Sequence, residues 1–84
     1  DKEYMYEEFN KMDGFTPYRT YANFMLVDMP KTIRKDLNAF LRGRNLLIKF
    51  LNEEAFKTEV RITIGTHEQN QYLIESIKEF LRLR

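Results

Sequence analysis

Between residues 59 and 70 the hydrophobic period of this chain changes from two to that of a helix with no linker between. Val60, Ile62 and Ile64 alternate with Arg61 and Thr63, which predicts a strand over residues 59–65 with one apolar and one polar face. Thr66 and Gln69 stand at the spacing of a capping box, and Leu73, Ile77, Phe80 and Leu81 then form the apolar stripe of a closing helix. A stripe and an apolar strand face that follow each other this closely are expected to bury one another. Arg61 and Thr63 must then project from the opposite face of the sheet, because successive strand side chains alternate.

The rest of the chain supplies what such a pair needs in order to become a domain. Met5, Phe9 and Met12 recur at helical spacing and predict a helix over residues 2–12, stopped by Asp13-Gly14. Residues 15–21 carry Pro17 and suit a short edge strand, and the apolar run over residues 21–27 reads as a buried strand. Asp28 is placed to cap the next helix, with Pro30 where its missing N–H costs least; Ile33, Leu37, Phe40 and Leu41 form its stripe and Gly43 its C-terminal cap. Residues 46–51 read as a strand running into a polar loop over residues 52–58, the least patterned part of the chain and one expected to be mobile. The order is helix, short strand, strand, helix, strand, strand, helix. This predicts an α/β (α+β) two-layer sandwich, a small sheet of three to four strands with helices on one face, over residues 1–84 as a single domain.

Composition narrows the function classes. Fourteen basic and 13 acidic residues leave a net charge of +1, too even for the field that a nucleic-acid-binding surface needs. The tyrosines and phenylalanines lack the basic sheet and glycine-aromatic strand of an RNA-binding sandwich, so no nucleic acid partner is expected. The chain has no cysteine, which removes disulfides, thiolate metal sites and a cysteine nucleophile and fits a reducing compartment. No run approaches the roughly 18 apolar residues of a membrane span, so a soluble, cytoplasmic protein without a membrane partner is expected. The opening Asp1, Lys2 and Glu3 lead straight into a helical pattern, which reads as a piece of something longer.

Three residues stand out as candidate ligand-binding groups. Arg61 lies on the polar face of the most central-looking strand; it is either solvated or meets an anion, and its planar fork suits a carboxylate. Asn23 interrupts an otherwise apolar strand, and its amide calls for a partner, in a neighbouring loop or a ligand. Lys49 ends the strand after Ile48 and reads equally as a solvated strand end. His67, the single histidine, has no second histidine or nucleophile with which to build a metal site or triad and reads as a surface residue. No catalytic group and no metal site is expected from this chain alone.

The segments YANFMLV, RNLLIKF and VRITIGTHEQN, in that order and separated by a helix, resemble the C-terminal small domain of fold type I pyridoxal-phosphate aminotransferases, most closely the histidinol-phosphate aminotransferase group. The likeness covers about residues 15–84, and the helix of Met5 to Met12 fits the one that precedes this region in the family. It implies that Arg61 binds the substrate α-carboxylate and that Asn23 stands at the edge of the active-site cleft. Lys49 takes the place where the group usually has an arginine that helps hold the substrate phosphate, and EEAFKTE replaces the usual glycine and proline before Arg61. Both are departures that mark a divergent member. A lysine keeps the charge and loses the bidentate fork.

The resemblance further implies a parent transaminase of amino-acid biosynthesis, homodimeric, with this domain closing over an amino-acid substrate against a large domain. That large domain, absent from this chain, would carry the Schiff-base lysine, the aspartate against the pyridine nitrogen and the phosphate-cradling loop, so pyridoxal phosphate is a cofactor of the parent and is not bound by these residues. A related pyridoxal-phosphate decarboxylase shares the domain. The alternative from another class is a free-standing interaction module that uses the open sheet face.

Overall fold

The computed structural model describes residues 1–19, 22–46, 48–50 and 59–84, with the side chain of Phe50 left aside. Its elements are α1 (Lys2–Asn10), β1 (Thr16–Pro17), β2 (Phe24–Asp28), α2 (Lys31–Arg42), β3 (Lys49–Phe50), β4 (Glu59–Thr63) and α3 (His67–Arg82), in the order that periodicity predicts. The strands pair antiparallel in the spatial order β1-β2-β4-β3. Pro17 therefore falls on an edge strand, where a residue without an N–H leaves the interior ladder intact. The expected strand positions 21, 47 and 51, and the loop expected over residues 52–58, lie outside the described residues.

Alternation decides which side of the sheet becomes the core. Met25 and Val27 of β2 face Ile62 and Val60 of β4 in register, and all four are buried. The helices cover that face with Met5 and Phe9 from α1, Ile33, Leu37 and Leu41 from α2, and Leu73, Ile74, Ile77 and Phe80 from α3. Burying a side chain of this size is worth about 1.5–3 kcal/mol, so the shared face holds the two layers together. The result is the two-layer α+β sandwich.

Helix ends follow local chemistry only in part. Thr66 and Gln69 form both hydrogen bonds of the capping box: the Gln69 N–H donates to Thr66 Oγ1 over 3.1 Å, and the Thr66 N–H donates to Gln69 Oε1 over 2.9 Å. α2 departs from expectation. Asp28 does not cap it but ends β2, paired with Glu59 on one side and Thr16 on the other. The N-cap is Pro30, at φ −59° and ψ 134°, with no side-chain cap hydrogen bond. Pro30 thus stands at the N-cap itself and not inside the first turn, the site expected for it. Two strand partners hold Asp28 in the ladder, so the helix begins only after Met29 and Pro30 have turned the chain. At the other end Gly43 is the C-cap with a right-handed φ of −64°, and the reversal is made by Asn45 at φ 62°. Leu46 N–H donates to Leu41 O at 2.9 Å and Asn45 N–H to Arg42 O at 3.1 Å, the paired bonds of a Schellman turn.

Candidate functional site

With Met25, Val27, Val60 and Ile62 turned inward, Phe24, Leu26 and Asp28 of β2, Glu59, Arg61 and Thr63 of β4 and Lys49 of β3 share the outer face of the sheet. The ladder sets Leu26, Arg61 and Lys49 side by side across three strands. Arg61 and Lys49, both exposed, are thus direct cross-strand neighbours, and like charges in that position repel unless an anion or a reorientation intervenes. Among the described residues no carboxylate pairs with either cation. The guanidinium Cζ of Arg61 instead lies 4.3 Å from the ring centroid of Phe24. Asp28 and Glu59 oppose each other further along the same face, so one end of it is acidic and the other basic and aromatic.

Asn23 sits one residue before β2, outside the strand that sequence assigned to it. Its carbonyl accepts the Ile64 N–H at 2.8 Å and so continues the ladder, while the residue itself is exposed. Lys49 and Arg61 are therefore brought together. Asn23 belongs to the end of the sheet where Phe24 stands, three positions before Leu26, the register partner of Arg61. The surroundings can hold a small anion from one side. Among the described residues no carboxylate or histidine contacts Arg61.

A second polar cluster was legible only in part. Asn70 is 2% exposed, and its Nδ2 donates to Asp1 Oδ2 at 2.7 Å and to Gly65 O at 3.2 Å, while Gly65 N–H donates to Asn70 Oδ1 at 2.9 Å. His67 is exposed, as expected, yet its Nδ1 lies 2.9 Å from Asp1 Oδ1 and its ring 5.4 Å from that of Tyr4. The cluster fastens the start of α1 to the junction of β4 and α3. The signal for Asn70 was its place in the stripe of Leu73 and Ile77, where a polar side chain needs an internal partner. About two turns further along α3, Lys78 Nζ lies 2.6 Å from Glu8 Oε1, and Lys11 Nζ lies 3.2 Å from Glu8 Oε2. The close ammonium of Lys78, and after it the hydrogen bond from Lys11, hold the Glu8 carboxyl below the ordinary glutamate range. The same Glu8 contact raises the Lys78 ammonium.

Among the described residues no cluster of three or more histidine and acidic side chains could hold a metal ion, and no helix is long and apolar enough to cross a membrane. No protein-family model matches the chain. It is 34% identical over 74 residues to histidinol-phosphate aminotransferase 1 of Nostoc sp., a match covering 88% of this chain and 21% of that protein. It is 35% identical over 83 residues to the histidinol-phosphate aminotransferase of Rhodopseudomonas palustris, covering 95% of this chain and 22% of that protein. Among solved structures, L-threonine-O-3-phosphate decarboxylase from Porphyromonas gingivalis superposes with a TM-score of 0.77 at 26% identity, over 96% of this chain and 26% of that one. A decarboxylase from Sulfurospirillum multivorans shares the fold, with a TM-score of 0.79 at 20% identity over 93% of this chain and 23% of that one. The chain spans about one fifth of the length of the curated relatives it matches. Over most of its length the chain is thus a homologue of a segment of the histidinol-phosphate aminotransferases.

Proposed function

We propose that this chain is the C-terminal small domain of a pyridoxal-phosphate-dependent aminotransferase, in which Arg61 binds the carboxylate of an amino-acid substrate and the domain closes over the active site. One observation carries the reading: an arginine exposed on the outer sheet face, beside a second cation, with no carboxylate of the described residues against it. A guanidinium offers two parallel N–H donors to a carboxylate and orients it as well as attracting it. Lys49 adds positive charge from the next strand, and Asn23 lines the edge of the same cleft. Orientation of this kind lowers the entropic part of a barrier without any bond-making by the domain.

The cofactor does not fit these residues as its holder. Pyridoxal phosphate requires a lysine amine at its aldehyde, an acid at its pyridine nitrogen and N–H donors around its phosphate. At the N-terminal end of α3, where a helix can hold a phosphate, the Gln69 N–H is already committed to Thr66 Oγ1. The reading therefore assigns the cofactor, and the chemistry at the substrate α-carbon that it supplies, to the large domain of a cytoplasmic and homodimeric parent.

The test is kinetic and uses the enzyme that carries this segment. Arg61→Ala is expected to lower kcat/KM for the amino-acid substrate by roughly 30- to 1,000-fold, equivalent to about 2–4 kcal/mol, with Arg61→Lys recovering part. Unchanged kcat/KM in Arg61→Ala sinks the reading. The 26% identity to a threonine-phosphate decarboxylase supports a second reading, a decarboxylating parent. Measuring carbon dioxide release against amino-group transfer in the same assay separates the two.

A further inference from the structure

We propose that Phe24 is a positioning residue for Arg61, its ring holding the guanidinium toward the start of β2 and away from Lys49; this rests on the reading of Arg61 as an anion-binding group. In register Arg61 opposes Leu26, yet its Cζ lies over the ring of Phe24, two residues nearer the start of β2. The side chain therefore leans diagonally across the sheet. Lys49 lies on the opposite flank of β4, so the lean carries the guanidinium away from the nearest like charge.

The ring is well placed to do this. Phe24 is half-buried and its backbone is fixed by pairing with Thr63, whereas Arg61 is exposed on a long arm with many rotamers. The electron-rich face of a phenyl ring attracts a cation, and a guanidinium more readily than an ammonium. A cation held by one of its sides keeps the N–H donors that do not face the ring available to a ligand, and no carboxylate of the described residues occupies them. The consequence is specificity: a cation with a set direction favours a two-oxygen anion that can meet two N–H groups at once. It also points the donors to the sheet end where Asn23 stands.

The full 84-residue chain suffices for the test. The Arg61 Hε resonance reports the ring directly through its ring-current shift, and acetate replacing chloride at constant ionic strength serves as the anion probe. In the wild type Hε is expected upfield of its free value. Phe24→Leu should return it to that value and weaken acetate about threefold. Phe24→Tyr should keep both properties. Phe24→Leu combined with Arg61→Gln should weaken acetate no further than Arg61→Gln does alone. Should Phe24→Leu fail to give a dispersed amide spectrum, Phe24→Trp is expected to move Hε further upfield. An Hε signal indifferent to the ring in these variants overturns the proposal, as does equal weakening by Phe24→Leu in the Arg61→Gln background. Acetate affinity indifferent to Arg61→Gln overturns the anion-site reading instead, and the Hε comparison still decides whether Phe24 orients Arg61.

Discussion

Gly14 carries the clearest single-residue constraint outside the site. It adopts φ +82°, and an added Cβ would lie 3.0 Å from Pro30 Cγ, so both backbone and space oppose a side chain there. Pro30 is the N-cap of α2, and the turn after α1 thus leans on the start of another helix. Gly14→Ala is expected to destabilise the chain by about 1–2 kcal/mol, read as a lowered urea midpoint. A midpoint at or above that of the wild type would show that the turn relaxes freely. Arg61 behaves in the opposite way. Exposed and outside the core, it should change stability by about 0.5 kcal/mol or less when replaced by alanine, whatever its effect on activity.

Among the elements, α3 is fastened at its start and again at Lys78 by different chemistry. Thr66→Ala removes the N-cap acceptor of Gln69 N–H and should cost about 1 kcal/mol, measured by thermal or urea unfolding. Should that substitution prove neutral, the capping box would be ornamental and the Asn70 cluster alone would hold the helix start. The contact of α1 with α3 depends on pH. The Glu8 carboxyl is depressed in the folded state, so its contribution is present above the unfolded glutamate value of about 4.3 and fades as pH falls through the lower folded value. Lys78 is raised, so its contribution is present below the unfolded lysine value and is lost as pH rises through the folded one. The two shifts describe a single contact, whose lysine side chain is 37% exposed, so solvent screening keeps it at about 0.5–1 kcal/mol. Glu8→Gln should therefore differ from the wild type by about that amount near pH 7 and converge with it as pH falls through the lowered folded value of Glu8. A difference that stays constant across that range would assign the effect to packing.

On the scale of the whole molecule, the two faces of the sheet divide the labour. One is consumed by the helices, and the other presents Arg61, Lys49, Phe24 and Leu26 outward. In the proposed reading this outer face holds one end of a substrate while groups of another domain do the chemistry. Pyridoxal phosphate added to the isolated chain should accordingly give no saturable change of its absorbance beyond that caused by free lysine. A stoichiometric adduct on one defined lysine would contradict the assignment of the cofactor to another domain.

Element order, the apolar face of β4, the capping box and the outward turn of Arg61 were legible in the sequence, because each depends on residues within a few positions of one another and on the fixed periods of helix and strand. Contest between local preferences was not legible. Asp28 is a good helix cap by type, but its two strand neighbours keep it in the ladder. Left-handed Asn45, rather than Gly43, makes the reversal after α2. The candidate site was half visible: alternation exposes Arg61, whereas its pairing with Lys49 and its lean onto Phe24 arise from strands brought together by the sheet order. Asn70 shows the same limit. Its partner Asp1 lies 69 residues away, and only the packing of α1 against α3 makes that carboxylate a neighbour. Periodicity states which way a side chain points, and tertiary structure alone states what it meets there.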